Sequence, residues 1–413
     1  MEQKHTHINK SILSNGIRIV TEKIPHVRSV SFGIWLEVGS RNENSTNNGV
    51  SHFIEHMLFK GTKKRSAFQI AESIENVGGH LNAFTSKDLT CYYAHILDEH
   101  LPLAIDVLAD ILQESLFNES EIKKEQEVVL EEIRASEEVP EERIHDYFFA
   151  DLFRPHPLGF PTLGTEQTVK SFDQNMLLEY FHKNYTGNRI VIAAAGNLHH
   201  PEICDLIEKK FSALVKAPKL PMAKPLKSQQ IKQKYIEDSL QAHVCLGTTT
   251  IEYSNKMKYP LLVLNTLLGG GMSSRLFQKV REKHGLCYNI YSYLEFFVDS
   301  GVFCIYTGTE QGKVAKSLEL IIKELDNLKE NSILDEELER TKSQLKGNLL
   351  LSLESTSNRM NRLAKMEIYM KKNISLDDIS KGLNNVTAQE IQLQAKKLFD
   401  FERLVQSILL PVN

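Results

Sequence analysis

The chain has few cysteines, no basic excess and no long apolar run, and each shortage excludes a class of protein. Its five cysteines, Cys91, Cys204, Cys245, Cys287 and Cys304, are widely separated and form no C-x-x-C pair. An odd, scattered set argues against both a disulfide framework and a cysteine-ligated metal, and it fits a reducing compartment. With a net charge of −4 the chain lacks the basic footprint of a nucleic-acid binder. No apolar run approaches transmembrane length, so no membrane partner is expected. The opening MEQKHTHINKS has no apolar core of a secretory signal. Together these features predict a cytoplasmic protein. What is present is ordinary globular composition, 41% hydrophobic and 25% charged, in 413 residues. That length is natural for two domains and long for one core.

The stretch Asn48 to Lys60, NGVSHFIEHMLFK, carries the chemistry. It reads as a helix running up to Gly61. His52 and His56 then lie one turn apart and face a single point. Two imidazoles at this spacing supply two of the three protein ligands of a catalytic zinc site, and the order His-x-x-Glu-His is a known inverted motif. Glu55, beside His56, is placed to take a proton from water at the metal. A third ligand is still needed. The acidic helix further along offers Glu131 and Glu132, and spacing alone excludes neither of them, nor Glu125 or Glu137.

Along the chain, 17–24 and 28–38 read as strands, the second with Val30, Phe32, Ile34, Leu36 and Val38 alternating toward a core. Helical stretches are expected at about 66–76, 98–116 and 119–138, with a hairpin at 81–96 between the first two. Residues 154–168 read as a loop, Ser171 and Gln174 as the cap of a further helix, and 188–196 as a buried strand. The segment 216–234, rich in proline and lysine, has linker chemistry. It divides the chain into an N-terminal domain, 1–215, which carries the histidine motif, and a C-terminal domain, 235–413.

The second half repeats the first. Leu101, Ile105, Leu108 and Leu112 recur as Val314, Leu318, Ile321 and Leu325, and Cys91 and Tyr93 recur as Cys304 and Tyr306, all at one displacement. Leu240, Ala242, Val244 and Leu246 alternate like Val30 to Val38. The closing helix and strand, 171–196, are echoed at 387–411, where Thr387 and Glu390 form a capping box. At the same displacement the metal motif falls near NTLLGGG, 265–271, which has no histidine or acid, so this copy cannot hold the same metal.

GVSHFIEHMLFKGT, GGHLNAFTS, VVLEEI and LGGGMSSRLFQKVREKHGLCY, in this order, closely resemble the M16 (pitrilysin/insulinase) family of zinc metallopeptidases. The branch is similar to bacterial processing proteases and the β subunit of mitochondrial processing peptidase. The resemblance implies an α+β fold of two homologous domains, each a mainly antiparallel sheet with packed helices, enclosing a chamber. It implies one Zn²⁺ per chain on His52, His56 and Glu132, with Glu55 as catalytic base. Arg281 and Tyr288, seven residues apart, match a pair near the substrate carbonyl, and Asn82 and Ala83 match the edge strand that binds extended substrate. Ser136 stands where some relatives carry an acid that supports a ligand, so that role is unassigned. The activity implied is a zinc endopeptidase acting on peptides or unfolded protein, as a homodimer. A non-catalytic scaffold or partner subunit and a hydrolase of other bonds are the competing readings. The complete ligand set with Glu55, Arg281 and Tyr288 argues against the first, and the edge strand against the second.

Overall fold

A computed structural model describes residues 8–218, 224–225 and 227–412. Residues 1–7 of the leader reading, and 219–223 and 226 of the linker, lie outside it. The described residues within 1–134, 161–222 and 352–373 form one compact unit, and those within 135–160, 223–351 and 374–413 form the other.

In the first unit the strands are β1 (Ile8–Ile12), β2 (Arg18–Lys23), β3 (Ser29–Leu36), β4 (His80–Thr85), β5 (Thr90–Leu97) and β6 (Ile190–Gly196). The helices met along the first half of the chain are α1 (Val50–Met57), α2 (Ala67–Glu75), α3 (Leu101–Glu114), α4 (Glu119–Glu137), α5 (Pro140–Phe153), α6 (Glu166–Lys170), α7 (Gln174–Asn184) and α8 (His200–Phe211). The sheet order is β1-β2-β6-β3-β5-β4. All of its pairings are antiparallel except β2 with β6. Strand β6 is buried at every residue, which explains its continuous apolar run.

In the second half the strands are β7 (Ile231–Glu237), β8 (Ala242–Thr250), β9 (Cys287–Phe296), β10 (Gly301–Thr309) and β11 (Val405–Pro411). Its helices are α9 (Lys258–Gly269), α10 (Val314–Glu330), α11 (Asp335–Ser352), α12 (Thr356–Met370), α13 (Leu376–Asn384) and α14 (Ala388–Leu398). The order β7-β11-β8-β10-β9 reproduces β2-β6-β3-β5-β4 strand for strand, with β11 parallel to β7 and antiparallel to β8. The repeat seen in the sequence is therefore a repeat of topology. Thr387 and Glu390 form the expected capping box on α14.

The compact units do not follow contiguous halves. Helix α12, from the second half, packs on β2, β3 and β6 and buries Met360, Leu363 and Ala364 there. Helix α5, from the first half, packs on β7, β8 and β11 and buries Ile144 and Phe148. Both helices present an apolar face that either sheet could cover, so nothing local in the sequence signals the exchange. Four local readings also change. The metal-bearing helix ends at Met57, with a turn before Gly61. The end of the supposed linker, from Ile231, is strand β7. Leu240 lies before β8 and is fully exposed. Helix α7 is capped by Asp173, whose carboxylate accepts from the Met176 amide, while Ser171 Oγ donates to the Thr168 carbonyl.

No helix among the described residues is long and apolar enough to cross a membrane. Because α12 covers the first sheet, a fragment ending at Pro218 leaves that sheet face bare. We expect it to lack a sharp urea transition, and co-expression with a 352–373 peptide to restore one. A fully cooperative transition of the fragment alone would show that α12 contributes little.

Candidate metal centre

Helix α1 begins after Gly49, whose φ of 91° suits glycine, and it is anchored at that end by Glu43. One Glu43 oxygen accepts from the Gly49 amide at 2.7 Å and the Asn48 side chain at 2.9 Å, and the other accepts from the Ser51 amide at 2.8 Å. A carboxylate here meets unpaired amides and the positive end of the helix. Complete burial nevertheless pushes its pKa up to about 7. Val50, Phe53, Ile54 and Met57 face the core, which turns His52, Glu55 and His56 toward β4 and α4.

The structure brings His52, His56 and Glu132 together, with one donor atom from each lying within 4.8 Å of the others. Glu132 Oε2 is 3.7 Å from His52 Nε2 and 3.6 Å from His56 Nε2. Tetrahedral zinc, at about 2.0–2.2 Å from each donor, sets such atoms roughly 3.4 Å apart. The donor set and its spacing therefore fit that ion. Glu131, the alternative, is exposed and pairs with Arg134 at 3.2 Å.

Glu125 takes a different place. Its carboxylate is buried, with Oε1 2.7 Å from His56 Nδ1 and Oε2 2.6 Å from Lys60 Nζ. An acid that accepts from Nδ1–H fixes the ring and its tautomer and leaves Nε2 to the metal. This is the supporting acid that Ser136 left open, and Glu137 instead pairs with Arg143 at 2.7 Å. Burial lowers the His56 pKa, but the Glu125 hydrogen bond and the Glu125, Glu132 and Glu55 charges outweigh it and raise the pKa on balance. His52 moves the other way, to about 3, through burial and the neighbouring His56. A neutral His52 keeps its lone pair for a ligand, and a bound cation must displace any proton on His56.

Glu55 is not part of the triad. It is buried, and desolvation raises its pKa against the Thr85 hydrogen bond. Thr85 Oγ1 donates to Glu55 Oε2. Thr85 closes β4, the edge strand that carries Asn82 and Ala83 and that, among the described residues, pairs on one side only, with β5. Arg281 and Tyr288 lie in the second unit, on a π-helical turn, Phe277–Glu282, and on β9. The guanidinium stands 5.0 Å from the Tyr288 ring centre, and the tyrosine is 78% exposed. Of the other histidines, His95 and His200 bond to Ser31, and to Ser11 and Thr21, within the first unit.

The second copy has lost the centre by substitution and packing. At the repeat displacement Leu338 and Leu345 stand for Glu125 and Glu132, in or against the apolar core. Gly269 stands for His56, and a Cβ there would lie 2.3 Å from the Ser292 amide, so no ligand side chain fits.

Fold and site together define a duplicated α+β protein with one His-x-x-Glu-His centre. The insulinase (peptidase family M16) model matches residues 18–166, and the peptidase M16 inactive domain model matches 171–345. The uncharacterized zinc protease YmxG of Bacillus subtilis is 45% identical over 95% of this chain and 96% of its own length. An uncharacterized zinc protease of Streptomyces coelicolor is 41% identical over 94% of this chain and 86% of its own length. The chain belongs to the M16 peptidase family. Its fold is that of a protease from Helicobacter pylori, at TM-score 0.91 with 23% identity, covering 98% of this chain and 100% of that one.

Metal content of purified variants tests the assignment. Glu132→Gln is expected to lose zinc and Glu131→Gln to keep it, while Glu125→Gln should weaken binding by about 10–100-fold. Equal loss from Glu131→Gln and Glu132→Gln would overturn the ligand set.

Proposed function

We propose that the chain is a zinc-dependent endopeptidase that takes peptides or unfolded segments as an added strand along β4. The observation that carries this is the bond from Thr85, at the end of the free edge, to Glu55. It sets Glu55, a carboxylate beside the triad that is neither a ligand nor bound to one, where an edge-bound peptide would run. Membership of the M16 family and relatives named as zinc proteases support the same reading.

An extended peptide on an open edge is held by backbone hydrogen bonds, which accept many sequences. Zinc, when bound, supplies a Lewis acid that acidifies water and polarises a carbonyl. Glu55, with its basicity raised by burial, accepts the proton of the attacking water and then passes it to the leaving amine. Glu125 holds His56 in register through Nδ1. Arg281 and Tyr288 serve as donors to substrate carbonyls, a role that suits an exposed phenol beside a guanidinium. Pairing into a homodimer belongs to the same proposal.

Zinc-loaded protein incubated with unstructured peptides, with cleavage read by mass spectrometry, tests the activity. Chelator should abolish it. Glu55→Gln should retain zinc and lose about 10²–10⁴-fold in rate, the usual worth of a positioned base. Arg281→Ala should also keep its zinc while slowing cleavage. Zinc loss in Glu55→Gln, or an unaffected rate, would overturn the division of roles.

A further inference from the structure

The second unit buries a group of metal-ligating side chains that the proposed peptidase activity does not use. Cys245 on β8 and Cys304 on β10 are completely buried, and His145 reaches them from α5. The strand register pairs Cys245 with Tyr306 and Gly247 with Cys304. Both thiols therefore lie on one face of the sheet, diagonal to each other. Helix α5 packs on that face. Gly247 permits its approach, since a Cβ there would lie 2.8 Å from the Phe148 ring.

One donor atom from each of His145, Cys245 and Cys304 lies within 4.8 Å of the others, and Cys245 Sγ is 3.6 Å from His145 Nδ1. Tyr293 Oη is 3.0 Å from the same nitrogen, and Tyr291 Oη is 3.2 Å from His145 Nε2. The Cys304 thiol donates weakly to its neighbour's carbonyl, that of Ile305, at 3.6 Å. Diagonal residues on paired strands stand about 7–8 Å apart, beyond the reach of an unstrained disulfide. A metal ion is a longer link. Two thiolates at about 2.3 Å from one tetrahedral ion hold their sulfurs roughly 3.8 Å apart, with an imidazole nitrogen at a similar distance.

We propose that His145 Nδ1, Cys245 and Cys304 form a second metal site, taking a zinc-class ion with the Tyr293 hydroxyl beside its fourth position. Two soft thiolates and an imidazole select such an ion over magnesium or calcium. Tyr291 accepts from Nε2–H, which fixes the tautomer that leaves Nδ1 free. Both thiols lose their protons to solvent as the ion binds, and no electron is transferred. Ile144, Phe148 and Val302 surround the group with apolar side chains. The site fastens α5 to β8 and β10, so it is a staple and takes no part in peptide cleavage.

Cobalt(II) distinguishes this site from the centre on α1, because only a thiolate-ligated cobalt shows sulfur-to-metal charge-transfer absorption in the near ultraviolet. The full chain, stripped of metal and titrated with cobalt, is expected to develop that absorption. Glu132→Gln should retain it. Cys245→Ser and Cys304→Ser should abolish it and lower zinc from about two to about one per chain. Should the buried serines impair folding, His145→Gln, at a partly exposed position, should weaken cobalt binding at this site at least about tenfold. Absence of the band in the wild-type chain, or an unchanged band and affinity in His145→Gln, would overturn the site. Neither result bears on whether the α1 centre cleaves peptides.

Discussion

Glu125 is enclosed between α1 and α4, with one oxygen on His56 Nδ1 and the other on Lys60 Nζ. A carboxylate so buried is tolerable only because both oxygens are paired, and breaking either pairing leaves a charge without compensation. That constraint fastens the end of α1 to the middle of α4. Glu132 lies two turns beyond Glu125 on the same face of α4, so the fastening also delivers its carboxylate to the two imidazoles. The centre thus depends on an ion pair outside it. The other end of α1 is secured by Glu43, and the polar face between them meets the edge strand through Glu55 and Thr85.

The second copy shows the same scaffold without this constraint. Leucines replace both acids of α4, and a glycine pressed against β9 replaces the second histidine. A duplicated sheet can keep its topology after the centre is gone, because apolar burial across the strands holds the fold and the polar centre does not. What the second unit has in place of the centre is an Arg281–Tyr288 stack and a buried group of His145, Cys245 and Cys304.

Much of this was legible in the sequence, because it rests on short-range regularities. The period-two alternation of Val30 to Val38, the capping box at Thr387 and the common displacement of the two leucine series follow from local geometry, and the structure has the elements they predict. His52, Glu55 and His56 belong to one helix, so their spacing alone fixed their convergence. The opposite held where ligands come from separate elements. Spacing left Glu125, Glu131, Glu132 and Glu137 open, and the resemblance to a family chose Glu132. The structure shows Glu125 under His56, Glu131 turned to Arg134 and Glu132 facing both rings.

Helix α5 was missed although Pro140 opens it and Ile144, Phe148 and Leu152 recur every fourth residue. That pattern, following so closely on α4, could have been read as a helix, but not assigned to a sheet. The sequence by itself determined the two α+β copies, the histidine pair with its glutamate, and the absence of that centre from the second copy. Only the tertiary structure decided which acid stands under His56, which sheet each of α5 and α12 covers, and that two cysteines 59 residues apart meet one histidine. The physical reason is common to all three. Side-chain periodicity specifies which way a residue faces within its own element, whereas the partner across a core is chosen by the packing of the whole chain.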